Sequence, residues 1–231
     1  MKIKILFISL LVSHFSWGQA FNGTYPFTSV TTSSGLTDPT TVPTATGVTF
    51  GSFSSVGVSA NPNAASRFSF TGWDTGATNG SNVFTGAVNT AKYYQVTITP
   101  QLGYTIDIST IAFTLQRSAT GIRQYAVRSS LDYTTNLPAS ISPLNGNLSV
   151  VATNIFQVLD ASTTADVGST ITLGAAYTNI SSAITFRFYG FNAEVAATGT
   201  FSIDDVIING TATKITRTTQ TSRNCYWSPN I

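Results

Sequence analysis

The stretch Phe113–Asp132, FTLQRSATGIRQYAVRSSLD, decides how the chain is read. Ile111, Phe113 and Leu115 share one parity, and Ala112, Thr114 and Gln116 the other. Beyond Ser118–Ile122, Tyr125, Val127 and Leu131 share a parity, with Gln124, Arg128 and Ser130 opposite. A period of two built from β-branched and aromatic residues marks half-buried strands. Gly121 in the loop can take a positive φ at little steric cost. The stretch is therefore expected to be the central hairpin of an all-β domain. Arg117, Arg123 and Arg128 lie in it. They read either as a surface cluster for an anionic group or as internal partners of acids such as Asp132 and Asp107, the preferred reading.

Working outward, Lys92–Thr99 alternates with Tyr94, Val96 and Ile98 against Tyr93, Gln95 and Thr97. Ala183–Phe191 places Ile184, Phe186 and Phe188 inward, and Thr185, Arg187 and Tyr189 outward. Further strands are expected at Val48–Val58, Arg67–Thr71, Phe156–Leu159, Thr170–Leu173 and Thr200–Asn209. Gly72–Gly86 reads as a long loop around Trp73 and Asp74. Tyr133–Asn147, with Pro138, Pro143 and Asn145-Gly146, reads as a crossing loop. Glu194 is the only Glu and Lys is scarce, so exposed helix formers are missing. About nine strands without helical periodicity predict a sandwich of two antiparallel sheets.

The ends carry a different signal. Lys2 and Lys4 precede an apolar run at Ile5–Val12, and Ser16-Trp17-Gly18 offers small residues for cleavage. Residues 1–18 read as a secretory signal peptide, cut after Gly18. The eight-residue run is too short to span a bilayer. Residues 19–46, rich in Thr, Ser and Pro, read as an extended lead-in, with an edge strand near Tyr25–Val30. Residues 47–211 form the sandwich. Residues 212–231 read as a disordered or truncated tail. The cut removes the sole histidine, His14, and two of eleven basic residues, leaving nine basic against nine acidic side chains. A neutral, weakly charged chain offers no footprint for nucleic acid or anionic membrane. The single Cys225 forms no internal disulfide. A monomer is expected.

Two stretches carry a resemblance. YYQVTITPQLGYTIDISTIAFTLQRSATGIRQYAVRSSLDYTT, from Tyr93 to Thr135, and GTFSIDDVIINGT, from Gly199 to Thr211, resemble a secreted bacterial jelly-roll module of the galactose-binding-like type. Such modules occur in cell-surface proteins and in substrates of type IX secretion. The resemblance spans Val48–Thr211 and implies a jelly-roll β-sandwich without catalysis. It implies no one ligand.

The chemistry left open is narrow. Without histidine, the mature chain has neither a Ser-His-Asp triad nor a His-ligated zinc site. A glycoside hydrolase would need two facing carboxylates, and no pair has a recognisable setting, so the chain is not expected to be an enzyme. Asp204-Asp205 reads as a structural ion pair or bulge end, or as the seed of a structural Ca²⁺ site, the one cofactor envisaged. Arg128, Asp132 and Arg187 are expected in structural ion pairs. Among Trp73, Tyr93, Tyr125, Tyr133, Tyr177 and Tyr189, a sugar platform is expected at Trp73, Asp74 and Tyr93; core packing is the alternative. The expected function is binding or adhesion at the cell surface, with glycan or cell-surface polysaccharide as partner. The alternative is a spacer in a longer secreted protein.

Overall fold

The computed structural model describes residues 17–216. The basic start, the apolar run, His14 and Cys225 lie outside them. Fourteen strands follow in order: β1 Gly18–Tyr25, β2 Thr44–Ala45, β3 Val48–Phe50, β4 Ser54–Val56, β5 Phe68–Phe70, β6 Tyr93–Pro100, β7 Tyr104–Gln116, β8 Ile122–Ser129, β9 Ala139–Ile141, β10 Leu148–Val151, β11 Ile155–Val158, β12 Asp166–Thr172, β13 Ile184–Ala193 and β14 Phe201–Lys214. The expected nine become fourteen because pieces of two to four residues, such as β2 and β9, are too short to show a period. One sheet, A, has the order β1-β14-β7-β12-β9, with β5 also on β14. The other, B, has the order β10-β11-β8-β13-β6-β3-β2, with β4 also on β6. All pairings between named strands are antiparallel, giving a β-sandwich.

The expected central hairpin is not one. β7 lies in sheet A between β14 and β12, whereas β8 lies in sheet B between β11 and β13. Residues 117–121 arch from one sheet to the other. Phe113 and Tyr125 consequently meet across the interior, edge to face at 6.0 Å. Alternation specifies which face of a strand is buried, and that part of the reading holds for Phe113, Leu115, Tyr125 and Val127 but not for Leu131, which lies past the end of β8 and is exposed; it carries no information about which strand lies alongside. Gly121 has no positive φ. It is needed for close approach, since a Cβ there would sit 2.4 Å from the Thr200 carbonyl oxygen.

Parity also slips inside β7. Ile106 and Ile108 are buried, then Ile111, Phe113 and Leu115. Thr110 pairs with Asn209 but Ile108 with Gly210, so Ser109 is an extra residue. The bulge returns both apolar sets to the core side. The supposed lead-in is also structural, because β1 pairs with β14 from Gly18↔Thr213 to Tyr25↔Val206. β14 continues to Lys214, past the expected boundary at residue 211.

Tyrosines tie the sheets together. Tyr94 of β6 accepts the Phe70 amide at 3.1 Å and donates to the Phe201 carbonyl oxygen, both in sheet A. Tyr125 of β8 bonds Ser169 of β12 at 2.8 Å and stacks on Phe156 at 4.8 Å. Trp73 is fully buried beside them, with Nε1 donating to the Phe70 carbonyl oxygen at 2.9 Å and ring edges against Tyr94 and Phe201. Trp73 is therefore a core residue and not a sugar platform. Replacing Trp73 by Ala should lower stability by about 3–5 kcal/mol, the cost of deleting a buried large aromatic. Urea denaturation measures this; a loss under about 1 kcal/mol would contradict the packing described.

Candidate functional site

The outer face of sheet B gathers side chains that the alternation had pointed to solvent. Tyr93 and Gln95 project from β6, Arg187 from β13 and Arg128 from β8. Arg187 lies opposite Gln95 on one side and opposite Arg128 on the other. Its guanidinium is 4.0 Å from the Tyr93 ring centroid and 3.9 Å from that of Tyr133, so it is clasped between two rings. Arg128 lies 5.4 Å over Tyr189. It donates from Nε to Asn136 Oδ1 at 2.7 Å and from Nη1 to the Tyr133 carbonyl oxygen at 3.1 Å.

Tyr133 reaches this position because its backbone is left-handed, at φ 54°. Asp132 stabilises the turn by accepting the Thr134 and Thr135 amides at 2.8 and 3.0 Å. Those hydrogen bonds, that of Thr135 foremost, hold its carboxyl below the usual carboxylate range. The expected ion pairs of Arg128, Asp132 and Arg187 do not form; the salt bridges among the described residues lie elsewhere. Asp132 has too short a side chain to cap its own turn and also reach across the strand. Two cations on neighbouring strands are thus held by ring faces and amides.

Beside this patch are two recesses of about 440 and 430 Å³, sharing Thr135, Asn136 and Asn154. Leu131 and Tyr177 give the first an apolar wall, and Arg128 with Thr153 lines the second. Asn136 Nδ2 donates to the Thr153 carbonyl oxygen at 2.9 Å, which ties the turn to the β10–β11 connection.

Among the other expected site residues, Trp73, Asp74 and Tyr125 lie apart from this patch, whereas Tyr189 packs against Tyr93 and under Arg128, and Tyr177 lines the first recess. Asp74 bonds Lys92 at 2.5 Å and Asn89 at 2.7 Å, and the Lys92 ammonium chiefly holds its carboxyl low. Tyr125 and Tyr189 are fully buried and Tyr177 nearly so. The loop around Gly80 is clamped: Arg123 reaches the Ser81 carbonyl oxygen, Asn82 and Asp160, and Asp160 accepts the Gly80 amide at 2.6 Å. The sequence reading overlooked Asp160 and Glu194, which pair with the buried Arg117 at 3.4 and 2.6 Å. Burial pushes the Glu194 carboxyl up, and contact with Asp160 adds to this. That Glu194 is the only Glu of a sparsely charged chain was the available signal.

Asp204-Asp205 sits at a bulge. Asp204 pairs with Thr114 and Ile207 with Ala112, so Asp205 and Val206 together oppose Phe113. Asp205 turns out to solvent at φ 45°, while Val206 enters the core. Neither carboxylate enters the core, although Asp204 is half-buried. No group of three or more acidic, His or Cys side chains suited to a metal occurs among the described residues. A Ca²⁺ ion here would need four or more further oxygens from carbonyls or water.

No family model and no curated protein sequence matches the chain. The K3 cleaved adhesin domain of Lys-gingipain from Porphyromonas gingivalis w83 is a similar solved structure. It has 17% identity and a TM-score of 0.31, over 65% of this chain and 77% of that one.

Burial raises the Asp204 carboxyl to about 6, with the Asp205 charge adding and the Arg67 charge opposing. The folded chain then holds this proton more tightly than the unfolded one, whose pKa is near 3.8. Stability should fall as pH rises from about 4 through 6, and the deficit persists above. Asp204→Asn should raise Tm at pH 7.5 by roughly 2–4 °C, allowing for solvent screening, and leave it unchanged below about pH 3.8. Thermal scans of both chains across that window provide the comparison; parallel curves would refute the assignment.

Proposed function

We propose that this β-sandwich is a non-catalytic binding module of a secreted or cell-surface bacterial protein, and that it holds a carbohydrate on the outer face of sheet B. One observation supports this most: Arg187 is clasped by Tyr93 and Tyr133 next to the Arg128–Asn136 pair and two recesses, one with an apolar wall and one lined by Arg128, threonines and asparagines. Guanidinium and amide groups are planar donors suited to neighbouring hydroxyls on a sugar ring. Ring stacking fixes them beforehand, so less side-chain entropy is lost on binding. The half-buried Tyr133 and Tyr93 add aromatic surface beside those donors.

Export rests on the basic, apolar and small-residue succession of residues 1–18. The jelly-roll strand path and type IX export belong to the same reading through the resemblance at Tyr93–Thr135 and Gly199–Thr211. Against a hydrolase, Asp160 and Glu194 are in side-chain contact with each other and with the buried Arg117. Separated carboxylates that admit a glycosidic bond are a different arrangement.

The test is a glycan array on the mature chain, followed by titration of the best ligand into Arg187→Ala and Asn136→Ala. Binding should weaken at least ~10-fold in Arg187→Ala, while Tm moves by no more than roughly 4–8 °C, since each of its two cation–π contacts is worth about 1 kcal/mol. A folded chain that binds no glycan would favour the spacer reading.

A further inference from the structure

A third recess lies on the opposite side of the sandwich, on the outer face of sheet A. Its volume is about 170 Å³. Arg67, preceding β5, borders it together with Gln116, Arg117, Ser118, Thr200 and Ser202. Ser202 stands opposite both Gln116 and Ser69 in the ladder, so β5, β14 and β7 form the floor. No carboxylate lines the recess.

Two donors are left over there. Among the described residues, three buried side-chain polar atoms have no hydrogen-bond partner: Arg67 Nε, Arg117 Nε and Tyr189 Oη. Two of the three belong to arginines of this one recess. Buried polar atoms are nearly always partnered, and an orphan commonly marks a missing water, ion or ligand. Both terminal nitrogens of Arg117 are engaged, and one of Arg67. Arg117 donates to Glu194, to the Asp160 carbonyl oxygen and to the Ala119 carbonyl oxygen, while Arg67 Nη1 bonds Gln116 Oε1. Glu194 and Asp160 offset the charge of Arg117. No salt bridge offsets that of Arg67 among the described residues, although Asp204 lies near enough to feel it. The recess therefore combines leftover N–H donors with serine and threonine hydroxyls, and no carboxylate lines it.

We infer that this recess binds a small oxyanion, the carboxylate or sulfate group of an acidic sugar or the free ion, through Arg67 and Arg117. An oxyanion only accepts hydrogen bonds and has lone pairs for several donors at once, which suits guanidinium N–H groups better than a neutral hydroxyl does. This site is separate from the sheet B patch in residues and position, and each can fail without the other.

Arginine Nε–H resonances of the ¹⁵N-labelled mature chain read the site directly. The chain is titrated with sodium sulfate, then with sodium glucuronate, at constant ionic strength set by sodium chloride, with glucose as the neutral control. The Arg67 resonance is assigned from its disappearance in Arg67→Gln, and that of Arg117 from Arg117→Lys. If Arg117→Lys does not fold, the arginine peak that shifts in concert with Arg67 in the wild-type chain is followed instead. Both peaks should move together and saturate at millimolar anion while those of Arg128 and Arg187 stay in place. Saturation should be lost in Arg67→Gln, which keeps the Arg117 cluster intact. Response to sulfate alone would identify the free ion; response to glucuronate without glucose would identify the acidic sugar. Peaks unmoved by either anion, or an equal unsaturable drift of all arginine peaks, would overturn the inference.

Discussion

The buried guanidinium of Arg117 governs the geometry of the sandwich. It sits where the chain leaves sheet A for sheet B, and bonds the Ala119 and Gly121 carbonyl oxygens of that arch at 2.8 and 3.4 Å. The same group reaches Glu194 at the end of β13 and the Asp160 carbonyl oxygen after β11. Ser118 adds to the lock by exchanging hydrogen bonds with Thr200 ahead of β14. Arg123, on the far side of the arch, joins Asp160 to the loop at Ser81-Asn82. Isolated, a desolvated charge would be costly. Here the cost is offset by two carboxylates and several carbonyl oxygens, and removal of one partner from such a cluster costs about 3–5 kcal/mol. The arch, the loop and two strand ends thus share one fixed point.

That fixed point explains where sequence reading succeeds and where it does not. The inward residues of β6, β8 and β13 follow from period two alone: Tyr94, Val96 and Ile98; Tyr125 and Val127; Ile184, Phe186 and Phe188. The partner of each strand does not follow, because pairing depends on whether the five-residue bend folds back in the plane or arches over. The hydrogen bonds that decide it come from Asp160, Glu194 and Thr200, all distant in sequence. Ser109 poses a similar limit. A bulge is visible only against its partner strand, and Asn209–Gly210 lies about a hundred residues away.

The candidate site was half legible for a related reason. Tyr93 and Arg187 stood on outward parities of well-defined strands, so their exposure could be read, but their clasp depends on Tyr133, placed by a left-handed turn. Trp73 reads as a platform from its residue type and its polar neighbourhood. Type is a poor guide here, because a buried indole needs only one acceptor and the Phe70 carbonyl oxygen is within reach. Asp74 likewise has nearby partners in Lys92 and Asn89. Residues in loops acquire their surroundings from the fold, whereas strand residues inherit theirs from parity.

The sparse charges divide by sign in how they are used. Several carboxylates serve the backbone or buried hydroxyl and amide groups: Asp38 accepts the Thr40 amide, Asp107 the Asn179 amide and Asp132 two amides of its turn. Asp166 accepts from Ser162, Asn145 and Asn147. A carboxylate bound in this way is less free to neutralise an arginine elsewhere. The consequence appears at three cations: Arg128 and Arg187 rest on tyrosine rings, and Arg67 borders a recess lined by no acid. A sparsely charged chain can therefore still present preformed cationic donor groups on both outer faces. Rings and hydroxyls hold these groups without quenching them, and that property is what a ligand rich in lone pairs would meet.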